Sequence, residues 1–123
     1  MASKELNQAI AVQQAMFQEF AAVQTPDEYR AMYSRIMRQY QPAADVIIEA
    51  VTVNGVPSER MTPPNAVGNR TLLYLHGGGY VIGSPADYRD MVPRIARAAG
   101  ARALVVDYRL APEHPHPAAV DER

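Results

Sequence analysis

The 123-residue sequence predicts an α/β fold. Three observations carry that prediction. Two helix-like segments open the chain. A β-branched run with a tight-turn dipeptide follows them. Two apolar strands then flank a glycine loop and a helix, and this order builds a βαβ unit with a right-handed crossover. The length suits one small domain on a prior of roughly 100–200 residues per domain.

Residues 4–22 read as a helix, with Leu6, Ile10, Met16, Phe17 and Phe20 at mixed three- and four-residue spacings and no Gly or Pro. In the next helix Thr25 is the cap, Pro26 suits the first helical position and Glu28 completes a capping box. Tyr29, Met32, Tyr33, Ile36, Met37 and Tyr40 then recur on one face, and Pro42 is the expected stop. This Met/Tyr stripe has two readings, core packing or a lid over an apolar pocket. From residue 45 the period changes. Residues 45–53 read as a strand, Asn54 and Gly55 as a type I′ turn, and residues 56–61 as the returning strand. Pro57 places that strand near an edge or at its own start. Residues 62–70 hold two prolines, a glycine and two asparagines, and read as a loop.

Residues 71–75 are nearly all apolar, which predicts a strand buried on both faces in the middle of a mostly parallel sheet. Ser84 is the expected cap of the following helix, with Asp87 in its first turn. Met91, Val92, Ile95, Ala98 and Ala99 give that helix an apolar face. Pro93 should kink it or delay its start, and Gly100 should end it. Residues 103–107 form the next buried strand. Residues 108–117 carry three prolines and read as a stiff loop, and residues 118–123 open a last helix. The chain stops within about two turns of that opening and without a C-cap, so the expectation is a cut sequence.

Composition excludes several classes. Twelve Lys and Arg against thirteen Asp and Glu give a net charge of −1, which argues against a nucleic-acid partner. No apolar run approaches the roughly 20 residues of a membrane span. The N-terminus lacks the apolar core of a signal peptide. The absence of cysteine removes disulfides, thiolate metal sites and a Cys nucleophile, and fits a cytoplasmic protein.

The most informative run is His76, Gly77, Gly78, Gly79 and Tyr80, directly after the apolar strand. Three successive glycines give up side-chain packing at an entropic cost. Such a loop serves where bare backbone must come close to something, as when N–H groups bind a developing negative charge. This run resembles the oxyanion-hole signature of the hormone-sensitive-lipase-like carboxylesterases of the α/β-hydrolase superfamily. Residues 105–115, from Val105 through Asp107, Tyr108, Arg109, Glu113 and His114 to Pro115, resemble the second signature of that family.

The resemblance implies a fold: the N-terminal portion of an α/β-hydrolase sheet, a hairpin plus parallel strands with a crossover helix. Residues 1–43 would form cap helices, and residues 44–123 an incomplete hydrolase core. It also implies roles. The N–H groups of Gly78 and Gly79 would hold the oxyanion of ester cleavage, each worth roughly 3–4 kcal/mol of barrier. His76 and Gly77 would support the loop, and Tyr80 would line a substrate pocket or pack beneath the loop. Asp107, Arg109, Glu113 and His114 would join the loop and strand end through buried polar contacts. A triad of Ser84, Asp107 and His114 is rejected, because Ser84 lacks the Gly-x-Ser-x-Gly elbow. Metal binding by His114 and His116 is also set aside, for want of a clear third ligand.

No such elbow occurs anywhere in the chain, and in this superfamily the triad follows the glycine loop. The expected function is therefore the N-terminal part of a serine carboxylesterase or lipase acting on short- to medium-chain esters, inactive alone. No cofactor and no metal are implied. The expected partners are a small-molecule ester and the remaining C-terminal part of the enzyme. Self-pairing into a homodimer stays open. A ligand receptor of the same fold and a self-associating fragment are the alternatives.

Overall fold

The computed structural model describes residues 3–122. Met1, Ala2 and Arg123, the last expected in the closing helix, lie outside the described residues.

Helix α1 spans Lys4–Ala22, and Ser3 caps it by accepting the Leu6 N–H at 3.2 Å. None of its residues is buried. It touches the next helix where Phe20 meets Tyr29, ring centroids 5.5 Å apart, and the Tyr29 hydroxyl donates to the Phe20 carbonyl. Helix α2 spans Pro26–Met37 with both halves of the capping box formed. It ends before Pro42. The Gln41 amide donates to the Arg38 carbonyl at 2.8 Å, and a residue before proline is pushed out of the helical region. The Met/Tyr stripe divides accordingly. Met32 is buried and Tyr33 and Met37 pack on the core, whereas Tyr40 is exposed.

Strands β1 (Ile47–Val53) and β2 (Val56–Thr62) form the hairpin, in register from Ile47 opposite Thr62 to Val53 opposite Val56. Asn54 at φ 50° and Gly55 at φ 82° make the turn, the two positive values a type I′ turn demands. Strand β3 spans Thr71–Tyr74, and β4 spans Arg102–Val106. Between them lie a 3₁₀ turn, Pro85–Tyr88, and helix α3, Met91–Ala99. A short helix α4, Ala118–Asp121, closes the described chain.

The four strands lie in the order β1-β2-β4-β3. β3 runs parallel to β4, and β2 runs antiparallel to both of its neighbours. Of the two placements expected for Pro57, the strand start holds: it is the second residue of β2, an interior strand, opposite Thr52. Two expectations need correction. β3 is an edge strand, with Leu73 54% exposed, because a neighbour on its far side is absent from the described residues. The helix expected from Ser84 is split. The Ser84 hydroxyl donates to Asp87 instead of capping, and α3 starts late enough to place Pro93 in its first turn.

The core lies where α3 and the 3₁₀ turn cover one face of the sheet: Val92, Ala96 and Tyr88 against Met61, Ala103 and Val105. Of the apolar face predicted for α3, only Val92 is buried. Met91, Ile95, Ala98 and Ala99 are exposed, and Ala96 and Pro93 take the inner positions instead. Gly100 ends α3 at φ 60°, the left-handed cap that glycine adopts without a Cβ clash.

Candidate active site

Strand β3 ends at Tyr74, and the glycine run begins three residues later, at Gly77. His76 is only 4% exposed. Its ring stacks on Tyr108 with centroids 4.3 Å apart and lies 5.7 Å from the ring of Tyr88. Its Nδ1 is 2.9 Å from the Gly77 carbonyl. A carbonyl can only accept, so Nδ1 donates in this contact and Nε2 is the ring nitrogen left over. That Nε2 is buried with no partner among the described residues. The Tyr108 hydroxyl donates to the His76 carbonyl. The Tyr88 hydroxyl reaches the Gly77 carbonyl at 3.5 Å and shares a 2.7 Å hydrogen bond with Tyr33 of α2. Burial pushes the Tyr88 and Tyr108 phenols well above the ordinary tyrosine value, so both stay protonated donors.

Four carbonyls between residues 77 and 81 are therefore occupied. Gly77 O accepts from His76 and Tyr88, and Gly78 O accepts from the N–H groups of Val81 and Ile82, each at 3.1 Å. Tyr80 O accepts from Ala111 N–H at 2.8 Å, and Val81 O from Arg30 Nε at 2.8 Å. In a planar trans peptide the C=O and the following N–H point in opposite directions. Fixing Gly77 O turns the Gly78 N–H away from His76, and fixing Gly78 O turns the Gly79 N–H away from the inner turn. Neither N–H has an acceptor among the described residues. Both glycines line a cavity of about 290 Å³, together with Leu75, Tyr80, Tyr108 and Val120.

The two glycines are required for different reasons. A Cβ on Gly78, at φ 131°, would stand 2.1 Å from the Ile82 carbonyl oxygen. At Gly79 nothing lies within 4 Å of that position, and only its φ of 61° disfavours a side chain. Gly83 is a third constrained glycine at this loop. A Cβ there, at φ 99°, would meet His76 Nδ1 at 2.6 Å. Tyr80 is 58% exposed at φ 62°, and it lines the cavity without packing beneath the loop.

The second signature departs from its expected contacts. Glu113 and Arg109 are not buried: Glu113 pairs with Arg30 of α2, and Arg109 with Glu122 beyond α4. Asp107 is exposed, and its N–H donates to the Pro57 carbonyl. Tyr108 provides the buried contact of this segment. The Ser84 hydroxyl faces Asp87 and Arg38, not a histidine, and Asp87 is a fully buried carboxylate paired with Arg38 at 2.8 Å. Among the described residues no three His, Asp or Glu side chains converge on a metal-sized site. No helix there is long and apolar enough to cross a membrane.

A strand, a glycine loop with unpaired amides, a helix and a parallel strand define an α/β-hydrolase architecture. Known proteins agree. A family profile described as the alpha/beta hydrolase fold matches residues 72–123. An acetyl-hydrolase of Streptomyces hygroscopicus is 46% identical over 74 residues, 60% of this chain and 24% of that protein. Carboxylesterase NlhH of Mycobacterium tuberculosis is 47% identical over 70 residues, 54% of this chain and 21% of that protein. The crystal structure of an esterase from the bacterial hormone-sensitive lipase family superposes with a TM-score of 0.88 at 44% identity, covering 99% of this chain and 40% of that one. The chain has the α/β-hydrolase fold and is similar in sequence and structure to esterases of the hormone-sensitive lipase family. It spans about a quarter of the length of these curated relatives and two-fifths of the solved esterase.

Proposed function

We infer that this chain is the oxyanion-binding part of a serine carboxylesterase. A serine activated by histidine, both from residues outside these 123, attacks an ester carbonyl. The Gly78 and Gly79 N–H groups receive the charge that develops on the carbonyl oxygen, and His76 and Gly77 hold the loop that carries them. One observation supports this above the rest: two adjacent amides line a cavity and have no acceptor among the described residues, while the carbonyls before them are tied down. Donors fixed in advance need no reorganisation as charge develops, which is why such holes are effective.

The cavity lining is mostly apolar, with Leu75, Tyr80, Tyr108 and Val120 around the glycines. That lining suits a short to medium acyl chain. Residues 1–43 act as part of a cap over residues 44–123, and α1 carries Leu6, Ile10 and Phe17 as exposed apolar groups for that purpose. The open edge of β3 and its exposed Leu73 take the next strand of the sheet from the rest of the enzyme.

The test is hydrolysis of p-nitrophenyl acetate and butyrate by the full-length enzyme carrying these residues, beside the 123-residue chain alone. Turnover is expected in the first and not in the second. A full-length enzyme that binds esters and never cleaves them would replace this reading with a receptor.

A further inference from the structure

Arg30 is a residue that no sequence motif marks. It stands on the second turn of α2, within the segment assigned to the cap, yet its guanidinium lies partly buried between two loops. Nε donates to the Val81 carbonyl at 2.8 Å. Nη2 donates to the Ala111 carbonyl at 2.8 Å and to Glu113 at 2.7 Å, and Nη1 to Glu113 at 2.7 Å and Asp27 at 3.3 Å. All five N–H groups are thus used, in a planar fork that lysine cannot reproduce. Two of the five acceptors are loop carbonyls that no other described residue satisfies.

The connections close a ring. The Val81 N–H bonds to Gly78 O, and its carbonyl takes Arg30. Arg30 also takes the Ala111 carbonyl, and the Ala111 N–H bonds to Tyr80 O at 2.8 Å. The turn over residues 78–81 is held on one side by its own hydrogen bonds and on the other by one guanidinium from α2.

We propose that Arg30 is a positioning residue for the oxyanion loop, setting the direction of the Gly79 N–H through Val81 and joining the N-terminal helices to the chemical step. The proposal rests on the esterase reading above. Arg30 touches no reacting atom. Its loss frees the Val81 and Ala111 carbonyls, and the turn that fixes Gly78 O loosens.

The experiment compares Arg30→Lys and Arg30→Gln with the wild type in the full-length enzyme. Asp27→Asn is the control, because it takes the charge out of the 3.3 Å contact alone and leaves the other four Arg30 hydrogen bonds in place. In both Arg30 variants kcat for p-nitrophenyl butyrate is expected to fall about tenfold with KM within about threefold, less than the roughly hundredfold of a full ångström of misplacement. Affinity for a trifluoromethyl ketone, whose bound oxyanion uses the same donors, should fall by the same factor. Hydrogen exchange at the Val81 and Ile82 amides should rise. If the Gln variant fails to fold, Arg30→Lys decides. Wild-type kcat, ketone affinity and exchange in Arg30→Lys would overturn the proposal, and so would an equal loss in Asp27→Asn. Absence of turnover in the wild type would strike the esterase reading instead, and unchanged exchange in Arg30→Lys would then still overturn the clamp.

Discussion

Replacing Gly78 by alanine tests the oxyanion loop most directly, because the structure supplies the displacement. The added Cβ would lie 2.1 Å from the Ile82 carbonyl oxygen and 2.8 Å from both the Ile82 carbonyl carbon and its Cγ1, where 3.4 Å is ordinary contact. The oxygen or the Cβ must therefore move by about 1.3 Å. Neither can yield freely, since the Val81 and Ile82 N–H groups both bond back to Gly78 O. A shift of about 1 Å at a reacting centre costs about 10²-fold, or roughly 2.7 kcal/mol of barrier. Gly79→Ala is the internal comparison. Its Cβ enters open space, and the φ of 61° imposes only the left-handed penalty of about 1–2 kcal/mol on the loop. The expected order is a loss in kcat of about 10²-fold for Gly78→Ala and within about tenfold for Gly79→Ala. KM for p-nitrophenyl butyrate should stay within about threefold in both, and melting temperatures measured alongside show that each variant is folded. A Gly79→Ala loss as large as that of Gly78→Ala would refute the displacement reasoning. Wild-type turnover in Gly78→Ala would remove the oxyanion assignment itself.

Three further predictions follow from single contacts. Tyr108→Phe deletes the hydroxyl that donates to the buried His76 carbonyl, so stability should fall by about 1–3 kcal/mol; an unshifted thermal transition would show that Tyr108 braces nothing. Glu113 accepts from two Arg30 N–H groups, which holds its carboxyl down at about 2. Because the folded value is depressed, the pair's stabilisation is complete above the ordinary carboxylate range near 4.5 and is lost as pH falls toward 2. A carbon-13 titration should show Glu113 ionised at pH 4 in the wild type and returned toward its ordinary value in Arg30→Gln; an ordinary value in both would exclude the pairing. Leu73→Lys places a charge on the open edge of β3, so the isolated 123-residue chain should aggregate less in light scattering. Unchanged aggregation would place the sticky surface elsewhere.

What the sequence made legible is what local chemistry decides. Thr25, Pro26 and Glu28 form their capping box within one turn, Asn54 and Gly55 build a hairpin from their own φ angles, and Gly100 stops a helix alone. The position of β3 was not legible in the same way. Its apolar run records burial in a complete sheet, whereas the described chain leaves one side of it open. Pro57 left two placements open for a related reason: a missing N–H is tolerated at a strand start whatever the strand's place in the sheet. Arg30 was invisible because all its partners except Asp27 lie 51 to 83 residues away, and two of these are carbonyls, which every residue carries.

The same distinction explains how the loop works. Glycine frees the backbone and cannot aim it. Aim comes from taking the acceptors: Gly77 O by His76 and Tyr88, Gly78 O by Val81 and Ile82, Tyr80 O by Ala111, Val81 O by Arg30. With peptide planes rigid, each captured carbonyl turns the next N–H the opposite way. The donors on Gly78 and Gly79 stay available because the acceptors before them are spent. Variants that release Gly77 O should therefore misdirect the Gly78 N–H, and those that release Gly78 O the Gly79 N–H. The motif supplies permissive residues, while Tyr88, Tyr108 and Arg30, scattered along the chain, convert permission into direction.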